Sequence, residues 1–274
     1  MHPSVNPDFA SELLAPAGFE DDKYSRGTVG FVTGSEKYPG AALLGVNSAY
    51  ELGIGMVRYL GPASVSNLVV SNRPETVLGL ERAGALVVGS GVADGEEGEQ
   101  RKNILSLQQD TTPMVIDAGA LQILDLQKLP ALAVLTPHHS EAQRLLTRLG
   151  QDWTKEEVDD DPQEVATQLA ELTGLVVLLK SNVSYVAIPG FEPTQSGPGS
   201  TLLATAGTGD VLAGMIGTLI AKAEAKGVAL TPGSLAEISL IAVQLHSEAA
   251  EWAGERGHYG ASAVCDAISA VVRA

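Results

Sequence analysis

Pro198-Gly199-Ser200-Thr201-Leu202-Leu203-Ala204-Thr205-Ala206-Gly207-Thr208-Gly209-Asp210-Val211-Leu212-Ala213-Gly214 carries a polar, glycine-rich loop straight into an apolar helix. Gly207 and Gly209 have access to backbone angles closed to other residues, so successive N–H groups at the helix start can converge on one point. Gly207, Thr208 and Gly209 are therefore expected to form an anion hole, reinforced by the positive end of the helix dipole. Asp210 falls in the first turn beside it. A carboxylate there is expected to stay ionised at neutral pH and to take the proton from a hydroxyl attacking a phosphoryl group. The competing reading makes Asp210 and Thr208 plain helix caps. Two other phosphate-loop patterns fail. No Gly-Lys-Ser/Thr follows, and both the glycine spacing and the loop-like residues 192–200 are wrong for a dinucleotide fingerprint.

Outward from this stretch, strands and helices alternate through the first two-thirds of the chain. Strands are expected at 28–33, 56–60, 67–71, 85–89, 114–116, 133–135 and 175–179. A locally antiparallel pair follows at 185–188 and about 192–195. Helices are expected at 40–52, 100–109, 118–124, after Ser140 to Leu149, at 163–173, and in a tail at 210–222, 232–253 and 261–272. Residues 1–22 read as a lead-in with one short amphipathic piece at 9–14. That alternation predicts a doubly wound α/β fold, a central mostly parallel sheet flanked by helices in three layers, in one domain over 1–274.

Composition narrows the function classes. Hydrophobic residues make up 45% and aromatics 4%, with 30 glycines, which suits a core of small aliphatic side chains packed on a parallel sheet. A formal charge of −16 disfavours nucleic acid and anionic membrane as partners, so an anionic ligand must be held by local groups. Cys265 is the single cysteine, and no signal peptide or spanning segment is apparent. A cytoplasmic location is the expectation. His138-His139 with Glu141 lacks zinc-site spacing, and no metal-ligating residue is assigned; His138 reads instead as a polar substrate contact, with Ser140 or Thr136 as the cap of the helix behind it. Asp117, at the end of a strand, reads either as a functional carboxylate or as a cap for 118–124.

Several stretches occur together and in order: Lys23-Tyr24-Ser25-Arg26-Gly27, Gly34-Ser35, Tyr38 with Gly40-Ala41-Ala42, Arg73-Pro74-Glu75, Asp117-Ala118, Thr136-Pro137-His138, Leu179-Lys180 and Ala204-Thr205 followed by Gly207 to Gly214. In these the chain resembles the ribokinase-like superfamily and, within it, the ADP-dependent (S)-NAD(P)H-hydrate dehydratases. The resemblance implies Asp210 as base and substrate contact, Gly207, Thr208 and Gly209 as anion hole, and Ala41, Gly91 and His138 on the dinucleotide. It places Lys180, Ser181, Asn182, Val183, Ser184 and Gly209 on ADP or ATP with Mg²⁺. It further implies a homo-oligomer, often a tetramer, and here no epimerase domain. The chain departs from the family pattern at Gly89-Ser90-Gly91-Val92-Ala93, at Gly119 in place of a second aspartate, at His139-Ser140 and at Ser181. Two alternatives accompany this reading: another small-molecule kinase of the superfamily, acting on a hydroxymethyl-pyrimidine or thiazole alcohol, and a nucleotide-binding homologue that has lost catalysis.

Overall fold

A computed structural model describes residues 5–130 and 132–272. Nine strands form one sheet: β1 Thr28–Val32, β2 Met56–Tyr59, β3 Val77–Leu78, β4 Ala85–Val88, β5 Met114–Ile116, β6 Ala133–Leu135, β7 Val176–Leu179, β8 Ser184–Ala187 and β9 Thr194–Ser196. Their spatial order is β3-β2-β1-β4-β5-β6-β7-β8-β9. The first seven in chain order pair in parallel, whereas β8 and β9 return antiparallel.

The helices are α1 Pro7–Leu14, α2 Pro39–Glu51, α3 Ala63–Asn72, α4 Glu99–Ser106, α5 Ala120–Ile123, α6 His139–Arg148, α7 Lys155–Asp160, α8 Pro162–Thr173, α9 Thr208–Ala225, α10 Pro232–Gly254 and α11 Ala261–Val272. Because side chains alternate along a strand, Val29, Phe31, Val87 and Val115 face one core with α2, α9, α10 and α11. Val32, Leu86, Val88 and Ile116 face the other with α4, α5, α6 and α8. Both faces are covered, which is why the central strands read as unbroken apolar runs rather than alternating ones.

One expectation changes. Residues 67–71 are not a strand but lie in α3, where buried Val65 and Val69 recur one helical turn apart. The run Leu68-Val69-Val70 has strand-like propensity, and burial of one helical face overrides it. The sheet edge is taken instead by the two-residue β3. The expected helical tail follows the last strand as α9, α10 and α11, and its first helix, α9, lies directly against β1, β4 and β5. The amphipathic piece near the N-terminus forms α1, which buries Leu13 completely.

Candidate active site

The chain reverses its direction across the sheet between β1 and β4, and an open α/β sheet has its crevice outside the carboxyl ends of the strands at such a switch. The residues that follow these strands meet there. Asp117 comes directly after β5 and is 2% exposed. Its Oδ2 accepts a hydrogen bond from Ser90 Oγ at 2.8 Å, and its Oδ1 accepts from Thr136 Oγ1 at 2.8 Å and from Lys180 Nζ at 2.7 Å. Burial pushes this carboxyl up, but the Lys180 ammonium and the three hydrogen bonds overcome it and hold the group below its ordinary range. Asp117 is thus the hub of loops after β4, β5, β6 and β7, and α5 has no side-chain cap.

Gly207 adopts φ 93° as the N-cap of α9, the left-handed geometry that turns the loop into the helix with no side chain capping it. The first N–H groups of α9 are left without a side-chain partner, as an anion hole requires. Gly209 keeps its helical backbone and contributes space: a Cβ there would lie 3.4 Å from Lys180 Nζ. The Thr208 hydroxyl is spent on the carbonyls of Leu203 at 2.9 Å and Thr205 at 3.0 Å, so only its backbone is available to a ligand. Since Gly207 holds the cap position, Asp210 is not the cap. Its pKa also departs from expectation. Burial, followed by repulsion from Asp117, raises it to about 7, with Lys180 opposing. At neutral pH the carboxyl is therefore divided between its two forms rather than fully ionised.

Lys180, Ser181, Asn182, Ser184, Thr208 and Gly209 line one cavity of about 390 Å³; Val183 is not among its walls. Residues the sequence reading omitted, His246 and Ser247 on α10 and the turn at 199–204, close its far side. His246 is 5% exposed, and its Nε2 has no partner. Burial and then the Lys180 charge lower its pKa to about 4, so the ring is neutral. A single histidine on the buried face of the long helix α10, one turn from the apolar Ala242 and Ala249-Ala250, was the available signal.

Ala41 and Gly91 stand on the switch-point side. Gly91 has φ 68°, and a Cβ on it would strike the Ala41 methyl and come within 2.9 Å of the Tyr38 carbonyl. Ser35 Oγ donates to the Gly91 carbonyl at 2.8 Å, locking this approach. His138 lies beside Lys180 through an isolated parallel bridge. It is His138, not Ser140 or Thr136, that caps α6: its Nδ1 accepts from Glu141 N at 3.4 Å while Glu141 Oε2 accepts from His138 N at 2.9 Å. Half of the imidazole stays exposed. Burial and then Lys180 lower its pKa, while burial raises that of Glu141.

The departures at Ser90 and Gly119 fit one another. Ser90 supplies a hydrogen bond to Asp117, and the 92–93 loop that follows closes on Gly119, where a Cβ would collide with the Val92 carbonyl and sit 2.8 Å from that of Ala93. Among the described residues no cluster of three His, Cys, Asp or Glu side chains is placed to hold a metal ion. No described helix is long and apolar enough to cross a membrane.

The family model described as NAD(P)H-hydrate dehydratase matches residues 29–273. The chain belongs to the NAD(P)H-hydrate dehydratase family. It is 38% identical over 223 residues to a bifunctional NAD(P)H-hydrate repair enzyme of Corynebacterium glutamicum, covering 76% of this chain but 38% of that one. The chain thus spans less than half the length of this bifunctional relative. An ADP-dependent (S)-NAD(P)H-hydrate dehydratase of Lactococcus lactis is 30% identical over 260 residues, covering 88% of each. Among solved structures, an ADP/ATP-dependent NAD(P)H-hydrate dehydratase from Bacillus subtilis, co-crystallised with ATP and Mg²⁺, superposes with a TM-score of 0.77 at 25% identity, covering 100% of this chain and 98% of that one. The fold of this family member is the ribokinase-like one.

Proposed function

We propose that this family member dehydrates the S-form of NADH or NADPH hydrate back to the reduced cofactor, with ADP or ATP as phosphoryl donor. The observation that carries the reading is Asp210: a partly buried carboxyl with a pKa of about 7, one residue beyond the helix-start N–H groups, beside a cavity on which Lys180 and the 181–184 loop converge. A general base works best with its pKa near the operating pH, and this carboxyl meets that condition.

In this reading Asp210 accepts the proton of the ring hydroxyl as that oxygen attacks the terminal phosphoryl group. The N–H groups of Gly207, Thr208 and Gly209 stabilise charge on the transferring group, and Lys180 faces it from β7. The hydroxyl oxygen then leaves as phosphate, a far better leaving group than hydroxide. The ring nitrogen supplies electrons, and a proton lost from the neighbouring ring carbon restores the double bond. Lys180, Ser181, Asn182 and Ser184 take the nucleotide, and Ala41, Gly91 and His138 take the dinucleotide. The donor set also fits Mg²⁺, which binds through one or two carboxylates and substrate phosphates rather than a protein cage. Glu141 and Asp210 are the carboxylates beside the phosphate path, and the ion would supply neutralisation of phosphate charge.

The test is recovery of reduced-nicotinamide absorbance from purified S-hydrate with Mg²⁺ and ADP or ATP, beside an Asp210→Asn control. Recovery that needs both nucleotide and Asp210 supports the reading. Nucleotide binding without recovery would move the assignment to another alcohol kinase of the superfamily or to a silent homologue. The same reading includes a homotetramer, which light scattering of the purified chain tests.

A further inference from the structure

At the end of the molecule opposite the Asp210 crevice, the described residues enclose a second cavity of about 420 Å³. Its walls are the 15–17 segment after α1, Leu52 at the end of α2, Arg26 ahead of β1, Lys222 in the last turns of α9, and Val272. A narrower recess that shares Arg26 and Lys222 continues to Lys226. Lys222 follows Asp210 by twelve residues on the same helix, which at 1.5 Å per residue puts the two about 18 Å apart. This cavity is therefore separate from the site described above.

Three cations stand together here in a chain whose formal charge is −16. Lys222 is 6% exposed, and its Nζ donates one hydrogen bond, to the Leu52 carbonyl at 3.1 Å. Arg26 donates from Nη2 to the Gly53 carbonyl at 2.6 Å. Among the described residues neither cation, nor Lys226, has a carboxylate in ion-pair range. Glu51 borders the cavity but is turned to Arg73 at 3.3 Å, and Asp21, on the recess, is hydrogen-bonded by the Gly18 N–H and the Ser25 hydroxyl, beyond ion-pair range of Lys226 and Arg26 although their charges also act on it.

Binding the carbonyls of Leu52 and Gly53, at and just past the C-cap of α2, explains why cations occur at this spot, since they complement the negative end of its dipole. It does not use them up. An ammonium has three donors and a guanidinium five, so most of their N–H groups remain for the cavity they line. A buried ammonium with one carbonyl partner is costly to maintain, and an anion arriving between the two groups relieves that cost.

We propose that this cavity is a second ligand site, which takes a small phosphate-bearing anion on Lys222 and Arg26. A phosphate is favoured over a carboxylate because Lys222 and Arg26, with no carboxylate in ion-pair range among the described residues, match a dianion, and the guanidinium fork donates to two oxygens side by side. The apolar walls from residues 15–17, Leu52 and Val272 leave room for a compact organic body behind the phosphate.

The probe is inorganic phosphate, added to the intact chain at constant pH and ionic strength while the ¹³Cε resonance of Lys222 is followed by NMR. The resonance is assigned by its loss in Lys222→Met. A saturable shift with phosphate, absent with matched chloride or acetate and weakened about tenfold in Arg26→Gln, is the expected result. Phosphate binding at the α9 N-terminus leaves this distant reporter unmoved, so the two sites are read separately. A stationary resonance up to tens of millimolar phosphate, or an equal shift with chloride, overturns the proposal. Should Lys222→Met fail to fold, Lys222→Arg, which keeps the charge, removes the same resonance and assigns it in its place, and the Arg26→Gln comparison is read on that assignment.

Discussion

Lys180 Nζ lies 2.7 Å from Asp117 Oδ1, joining the ends of β7 and β5 across the strand between them, with 17% of the Lys180 side chain and 3% of the Asp117 side chain exposed. This one ammonium serves three carboxyl groups. It pairs with Asp117, opposes the repulsion felt by Asp210 and lowers the cost of ionising Glu141. Replacing it with methionine leaves Asp117 and Asp210 crowded without their cation, while Glu141 keeps Arg144. Lys180→Met is therefore expected to lose about 3 kcal/mol of stability, the lower end for a broken buried pair, because Asp117 keeps Ser90 and Thr136. It is also expected to move the Asp210 titration above 7. Denaturant unfolding measures the first effect and a pH–rate profile the second. An unshifted profile would remove Lys180 from control of Asp210.

Asp210→Asn is expected to lower kcat by on the order of 10²–10⁴ while nucleotide affinity, measured by calorimetry, stays within a few-fold. The amide preserves shape and cannot accept the proton. Undiminished turnover in the variant would show that another group takes it.

The same carboxyl makes a signed prediction about pH. As a base, Asp210 must be ionised, so the wild-type rate should climb as pH rises through about 7 and the climb should be absent in Asp210→Asn. Stability runs the other way. The folded-state pKa of about 7 lies above the ordinary aspartate value of 3.8, so the native state holds a proton that the unfolded chain has already released. The stability linked to this group is fully present below about pH 4 and is lost as pH rises through 7. Asp210→Asn should accordingly have a higher Tm than wild type at pH 8, a gain that fades towards pH 5. Equal Tm values at pH 8 would place Asp210 in a better solvated setting.

The alternation of strands and helices was legible because apolar runs of strand length and glycine turns are local signals. Asp210 and its glycines were legible for the same reason. α3 was not, since Leu68-Val69-Val70 suits a strand locally and only the packing of Val65 and Val69 decides otherwise. The Asp117–Lys180 pair joins residues 63 apart, so no window along the chain displays it. The protonation of Asp210 depends on Asp117 and on Lys180, which the fold alone brings near. His138 escaped as a helix cap because imidazole seldom fills that position, where Ser, Thr, Asp and Asn prevail.

Gly119 stands where the sequence resemblance leads one to expect a second aspartate, and introducing that residue is an informative failure. A Cβ at this position meets the Val92 carbonyl and the Ala93 carbonyl, and the Gly119 N–H already donates to Val92 at 3.0 Å. The obstruction is backbone, which cannot rotate away as a flexible side chain would. Gly119→Asp should therefore cost about 1–3 kcal/mol by overpacking. It should also disturb Ser90, two residues before Val92, and through it the hydrogen bond to Asp117. Gly119→Ala separates the two possible causes in chemical denaturation: an equal loss in Ala and Asp variants identifies crowding, whereas a loss confined to Asp identifies repulsion from Asp117. The geometry requires the first outcome, because the collision begins at Cβ, before any carboxylate is reached.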